Sequence, residues 1–299
     1  MLFAEIIFRF IHFNSHLPYK REYFLQVIIF SDQLTKFIGE NKLIEARQVP
    51  GKQGLQWILS GFYMFRLSPF PWILLCFTLI LIAATLELLP VLGKFIFTLL
   101  SPVFMAGIMV GCKSLEQGDP LELGHLMVGF RKNTVPLITL GGFYLIGQVL
   151  IIGVFMMIGG SALVDMLLYG KRFDEQELMG VMDNILSASI AGLLLTIPLM
   201  MAIWFAPLLV MFENMPPIIA IRKSFFACLK NIIPIQIYFI VLIILGVLAI
   251  IPYGLGLFIY IPTVFASIYV SYQDIFHPES MLSDKEAIEK KEEDTEVNQ

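Results

Sequence analysis

The chain predicts an all-α fold, a polytopic transmembrane helical bundle of six spans with a short amphipathic interfacial helix ahead of spans one, three and five. Three observations carry this expectation. Of 299 residues, 58% are hydrophobic and 15% charged, against roughly 45–50% and 25% in soluble domains, and the mean hydropathy is +0.80. A soluble fold cannot hide that much apolar surface. Six stretches reach the ~20 mostly apolar residues that a helix needs to cross ~30 Å of hydrocarbon, where every backbone polar group must be satisfied within the segment. Turn-forming residues then join two pairs of stretches so tightly that each pair reads as a helical hairpin.

In chain order, residues 1–45 hold two short apolar runs interrupted by Glu5, Arg9, Lys20, Arg21 and Glu22, too short to span and without a small-residue cleavage site. Two readings stand for them, an interfacial lead-in or an upstream extension from a misplaced start codon. The transmembrane domain is expected over 46–276, with spans at 70–89, 91–112, 135–158, 185–212, 232–251 and 254–272. Pro90-Val91-Leu92-Gly93 links the first two and Pro252-Tyr253-Gly254 the last two. The fourth span is the longest, and its Pro198 and Pro207 predict a kink or tilt. Between spans three and four, Val164, Leu167, Leu168, Leu178, Val181 and Met182 recur at helical spacing, so 161–184 predicts a short helix lying on the outer surface. Residues 277–299 end in a charged run without an apolar face, which predicts a disordered tail.

A repeat underlies these spans. Ile58, Leu59, Phe62 and Phe65 precede the first, Leu123, Leu126, Met127 and Phe130 the third, and Ile218, Ile221, Phe225 and Leu229 the fifth, each set on one helical face. Each stretch runs into a proline at a span start, Pro71, Pro136 or Pro234. Phe65-Arg66 and Phe130-Arg131 both stand six residues before that proline, while the third junction is looser. Three units are expected, each a short helix followed by a hairpin. Orientation follows from Arg47, Lys52, Arg66, Lys113, Arg131, Lys132, Arg222, Lys223 and Lys230 on one side against Lys94, Lys171 and Arg172 on the other. The positive-inside rule places both termini in the cytoplasm.

Several stretches carry a resemblance: Val49-Pro50-Gly51-Lys52-Gln53-Gly54-Leu55-Gln56-Trp57, Leu100-Ser101-Pro102-Val103-Phe104-Met105-Ala106-Gly107, Pro120-Leu121-Glu122-Leu123 with Gly129-Phe130-Arg131, and Trp204-Phe205-Ala206-Pro207-Leu208-Leu209-Val210 with Ser224-Phe225 and Asn231-Ile232-Ile233-Pro234. With these the chain, from about Ala46 to Phe276, resembles a beta-proteobacterial family of multi-pass inner-membrane proteins with no assigned activity. The resemblance implies a bacterial inner membrane as location. Because it begins at Ala46, it favours the misplaced-start reading of residues 1–45. More distantly, the alternation of short helix and hairpin is similar to the membrane domain fused to some glycerophosphodiester phosphodiesterases, whose catalytic domain has no counterpart here.

The chemistry-bearing residues are sparse. Cys76, Cys112 and Cys228 have no paired spacing, and His12, His16, His125 and His277 form no HxxxH or HExxH pattern, so no disulfide framework, metal site or cofactor is expected. The middles of the spans lack ionisable residues, and such groups at membrane depth are the usual functional pointers. Glu87 and Lys94 flank the first tight turn, where they can snorkel and pair. Glu213 closes the fourth span, Gln148 is expected to hydrogen-bond between helices, and Gly107 and Gly111 form a GxxxG. The proline breaks at Ser101-Pro102 and Ala206-Pro207 bend their helices or line a cavity. No catalytic residue is assigned. The expectation is a non-enzymatic structural, assembly or envelope-homeostasis factor whose partners are membrane lipids, with protein partners or self-association besides and no nucleic acid; the alternative is a transporter or lipid-handling protein for an apolar or amphiphilic substrate.

Overall fold

The computed structural model describes residues 45–89, 92–160 and 175–277. The expectations for the N-terminal extension, the tail beyond His277 and the first part of the surface helix lie outside the described residues. The elements, all helical, are α1 (Gln53–Leu67), α2 (Pro69–Glu87), α3 (Leu92–Glu116), a 3-10 segment (Leu123–Phe130), α4 (Thr134–Phe155) running into a π turn (Met156–Gly160), α5 (Glu175–Trp204), α6 (Ala206–Glu213), α7 (Pro217–Lys230), α8 (Ile232–Ile250) and α9 (Leu257–Phe276).

Among the described residues, five stretches are long and apolar enough to cross a membrane: Pro69–Glu87, Leu92–Glu116, Thr134–Gly159, Met182–Glu213 and Ile232–Ile250. They coincide with the first five expected spans. The sixth expected span is α9, a helix of 20 residues and so ~30 Å long. Its second half carries Ser267, Tyr269, Ser271, Tyr272, Gln273 and Asp274, which makes it less apolar than the rest, and most of that half is buried in the bundle. Residues 175–184 do not form a separate surface helix. They are the first turns of α5, whose 30 residues extend ~45 Å, more than the hydrocarbon thickness.

The kink expected in the fourth span lies at Phe205, between α5 and α6, and its cause is specific. Pro207 has no N–H to give, and the hydroxyl of Ser224 from α7 inserts into the preceding turn. The Phe205 N–H donates to Ser224 Oγ at 2.9 Å, and that hydroxyl donates to the Met201 carbonyl at 2.8 Å. Phe205 and Met201 are the i and i−4 partners of an ordinary helical bond, so a buried side chain has replaced that bond.

The three units form a closed ring. The short segment of each packs chiefly on the hairpin of the unit before it: the 3-10 segment on α3, α7 on α5 and α6, and α1 on α9 and α8. The contact points repeat in register. Gly61, Leu126 and Ser224 each stand ten residues before the span-start prolines Pro71, Pro136 and Pro234. Gly61 meets α9 at Ser267, five residues after Pro262; the Leu126 carbonyl meets Gly107, five after Pro102; Ser224 straddles Ile203, five after Pro198. Small residues permit this closeness, since a Cβ on Gly61 would lie 2.6 Å from the Ser267 nitrogen and one on Gly107 would lie 2.5 Å from the His125 oxygen and 2.8 Å from the Leu126 oxygen. The turns repeat as well. Gly93 abuts Leu86 and Gly256 abuts Ala249, seven residues back in each case.

The short segments differ in detail from the expectation. Residues 123–130 wind as a 3-10 helix rather than an α-helix, with Glu122 and His125 capping its first turn. In α1 the buried face is Gly54, Trp57, Ile58, Gly61, Met64 and Phe65, while Leu59 and Phe62 of the expected apolar face point outward. Glycine contact decides the orientation, because the side that packs on α9 is the one with the least side chain.

Candidate functional site

Where the second helices of the three units converge, they leave a cleft of about 300 Å³ lined by Ser101, Pro102 and Ile108 of α3, Trp204 and Pro207 at the α5–α6 kink, and Phe265 of α9, among others. Both proline breaks singled out in the sequence therefore face one space. Among its lining residues the hydroxyls belong to Ser101 and Tyr144. Ser101 Oγ donates to the Thr98 carbonyl at 2.9 Å and Tyr144 Oη meets the Met200 sulfur at 3.8 Å. A volume of this size falls at the low end of the ~300–1,000 Å³ of ligand pockets, and its walls suit hydrocarbon.

Three carboxylates, Asp274, Glu213 and Glu116, gather at one end of the bundle, each held by neighbouring side chains. Asp274 is 1% exposed. Its carboxylate accepts Trp57 Nε1–H at 2.8 Å and Gln53 Nε2–H at 3.0 Å and pairs with the Arg47 guanidinium. Tyr272 donates to Glu213 at 2.9 Å, which His277 also meets at 3.0 Å, and Tyr269 donates to Glu116. One carboxylate thus comes from the second helix of each unit. A strap of residues 46–49 closes this end: Arg47 N–H donates to the Ile275 carbonyl, Val49 N–H donates to Asn231 Oδ1, and Asn231 Nδ2 donates back to the Arg47 carbonyl, at 2.8–2.9 Å. No group of three His, Cys, Asp or Glu among the described residues is placed to hold a metal ion.

The three seams between units are not alike. Between α3 and α4 the helices touch closely, and Gly141 lies against the Leu99 backbone. Between α9 and α2 a gap of about 180 Å³ remains. Between α5 and α8 the helices are splayed, leaving an apolar crevice of about 490 Å³ lined by Ile197, Met200, Met201, Trp204, Ile235 and Phe239 among others. The residues facing across it are bulky, with no glycine among them, so the backbones cannot approach. Ile197, Ile240 and Ile243 at its lip are exposed. Met200 and Trp204 line the crevice on one side and the central cleft on the other. The Trp204 ring stands edge-on to Phe239, 4.9 Å between centroids.

The remaining residues marked in the sequence have structural places. Gly107 and Gly111 receive the 3-10 segment and Leu121, so the GxxxG is spent within the chain. Gln148 is half-buried and makes no side-chain hydrogen bond among the described residues, contrary to expectation. Glu87 and Lys94 are exposed at the opposite end from the carboxylates and do not pair with each other. Sequence reasoning missed Asp274, which stands just past the last expected span and looks there like the start of a polar tail. Its signal is the aromatic and amide company of Trp57 and Gln53, more than 200 residues away.

A probable inner membrane protein of Burkholderia thailandensis is 30% identical to the chain over 189 residues, which cover 62% of this chain and 70% of that protein. The chain belongs to that protein's family. It is accordingly a multi-pass inner-membrane protein, and five helical stretches among its described residues are long and apolar enough to span the membrane. No family model and no solved structure matches it.

Proposed function

We propose that this family member is a non-catalytic lipid-handling protein that takes the acyl chain of a membrane lipid into its central cleft. The lining of that cleft carries the reading. Its surface is almost entirely hydrocarbon and aromatic, so an acyl chain packs against it without stranding a polar group. At the end of the bundle Arg47 pairs with Asp274, His277 meets Glu213 and Glu116 accepts from Tyr269, which leaves the cleft to an apolar guest. In this reading α9 completes a set of six spans. The carboxylate end, where Arg47, Lys113 and Lys230 also lie, faces the cytoplasm with both termini, and α1, the 3-10 segment and α7 sit at that interface.

Liposomes containing a phospholipid with a photoactivatable acyl chain test the proposal. Cross-links are expected on cleft residues such as Ser101, Met105 and Ile108; labelling confined to outward residues such as Leu193 would overturn it. The structural or assembly role expected from the sequence is the second reading. The exposed face of α7 favours it, where Ile218, Phe226 and Leu229 flank Arg222, whose guanidinium lies 5.9 Å from the Phe226 ring centroid. A protein copurifying at fixed stoichiometry, and lost on Phe226→Asp, is the outcome that supports it.

A further inference from the structure

We infer that the splayed seam between α5 and α8 is a lateral portal through which a lipid acyl chain passes from the bilayer to the central cleft, with Trp204 as the door between them. The inference rests on the lipid-handling reading and adds the route.

The ring itself supplies the argument. Three equivalent seams join the second helix of one unit to the first helix of the next, and two of them are closed or nearly so. The third is held apart along the membrane-spanning part of α5 and α8, and its crevice is larger than the cleft it adjoins. An apolar crevice at that depth has acyl chains as its surroundings, because neither water nor a polar segment is stable there. The occupant is therefore a lipid chain. Continuity with the cleft comes from Met200 and Trp204, which wall both spaces. Trp204 is the last residue of α5, immediately before the Ser224-wedged kink, where the backbone is already released from the regular helical ladder. The indole is braced by Tyr238 and Phe239 of α8, so the door closes against the opposite lip of the seam.

In the full chain reconstituted into liposomes, Ile240→Trp fills the exposed lip of the seam. Donor vesicles then supply the photoactivatable-chain phospholipid, and cleft cross-links at Met105 and Ile108 are followed in time. Ile240→Trp is expected to slow cleft labelling by at least an order of magnitude. Ile259→Trp, at an exposed position of α9 away from the seam, is expected to leave it unchanged, and Trp204→Ala to hasten it. Unaltered labelling with the seam blocked overturns the portal and leaves cleft occupancy standing. Absence of cleft labelling in the unmodified protein overturns the lipid-handling reading, and the portal falls with it.

Discussion

Asp274 shows how a single charge can hold distant parts of a membrane bundle together. Buried with one cation and two neutral donors, it joins the strap and α1 to the end of α9. Removing it strands Trp57 Nε1–H and Gln53. The Arg47 side chain, 40% exposed, can rehydrate, so Asp274→Ala is expected to cost ~3 kcal/mol, the low end for a broken buried pair. Trp57→Phe is expected to cost ~1–3 kcal/mol through the lost hydrogen bond. Trp72 is as deeply buried, but its Nε1–H meets no protein acceptor, so Trp72→Phe loses indole volume without a hydrogen bond and should be the milder of the two. SDS unfolding in mixed micelles measures the three; equal losses for both tryptophan variants would remove the role given to the Asp274 bond.

At the scale of elements, the short segments act as clasps whose grip depends on the absence of side chain. In a helix, Gly→Ala ordinarily gains ~1 kcal/mol, and Gly153, with open space around it in α4, should show that gain. At Gly61 the new methyl would lie 2.6 Å from the Ser267 backbone nitrogen, and the resulting overpacking is expected to cost ~1–3 kcal/mol. The opposite signs are the prediction, read by the same unfolding measurement, and a stabilising Gly61→Ala would mean that α1 does not clasp α9. This contact also marks what could be read from the chain. Helix positions are legible because runs of Ile, Leu and Phe announce burial in lipid: α8 ends within one residue of its expected bounds. Helix faces are not, because counting apolar side chains favours Leu59 and Phe62, whereas packing selects Gly54 and Gly61. The third junction looked loose for a related reason. Measured from aromatic residues the register fails, but measured from Gly61, Leu126 and Ser224 it holds. The cleft was half legible, since Pro102 and Pro207 marked its wall while nothing local in the sequence says that the two breaks face each other.

For the whole molecule, closure of the ring sets the boundary of the folded chain, while the distribution of Lys and Arg predicts its orientation. Reporters fused after Phe276 and within 117–122 are expected to read cytoplasm and one near Asp174 periplasm; an external C-terminus would sink the six-span arrangement. The boundary is the sharper test. A chain starting at Ala46 retains Arg47 and Val49 and hence the ties to Asp274, Ile275 and Asn231, so it is expected to insert and accumulate like the full chain. A chain starting at Gly51 keeps α1 but loses the strap. Asp274 is then left buried with Trp57 and Gln53 but no cation, and an uncompensated buried charge costs ~3–5 kcal/mol when its partner is removed. That chain is expected to insert yet unfold at lower SDS, and adding Asp274→Asn should recover part of the loss, because the neutral amide needs no counter-charge. Degradation of the Ala46 chain would make residues 1–45 structural. Undiminished stability of the Gly51 chain would mean that the ring closes through α1 alone, with the Arg47–Asp274 pair a surface ornament on a helix contact already sufficient.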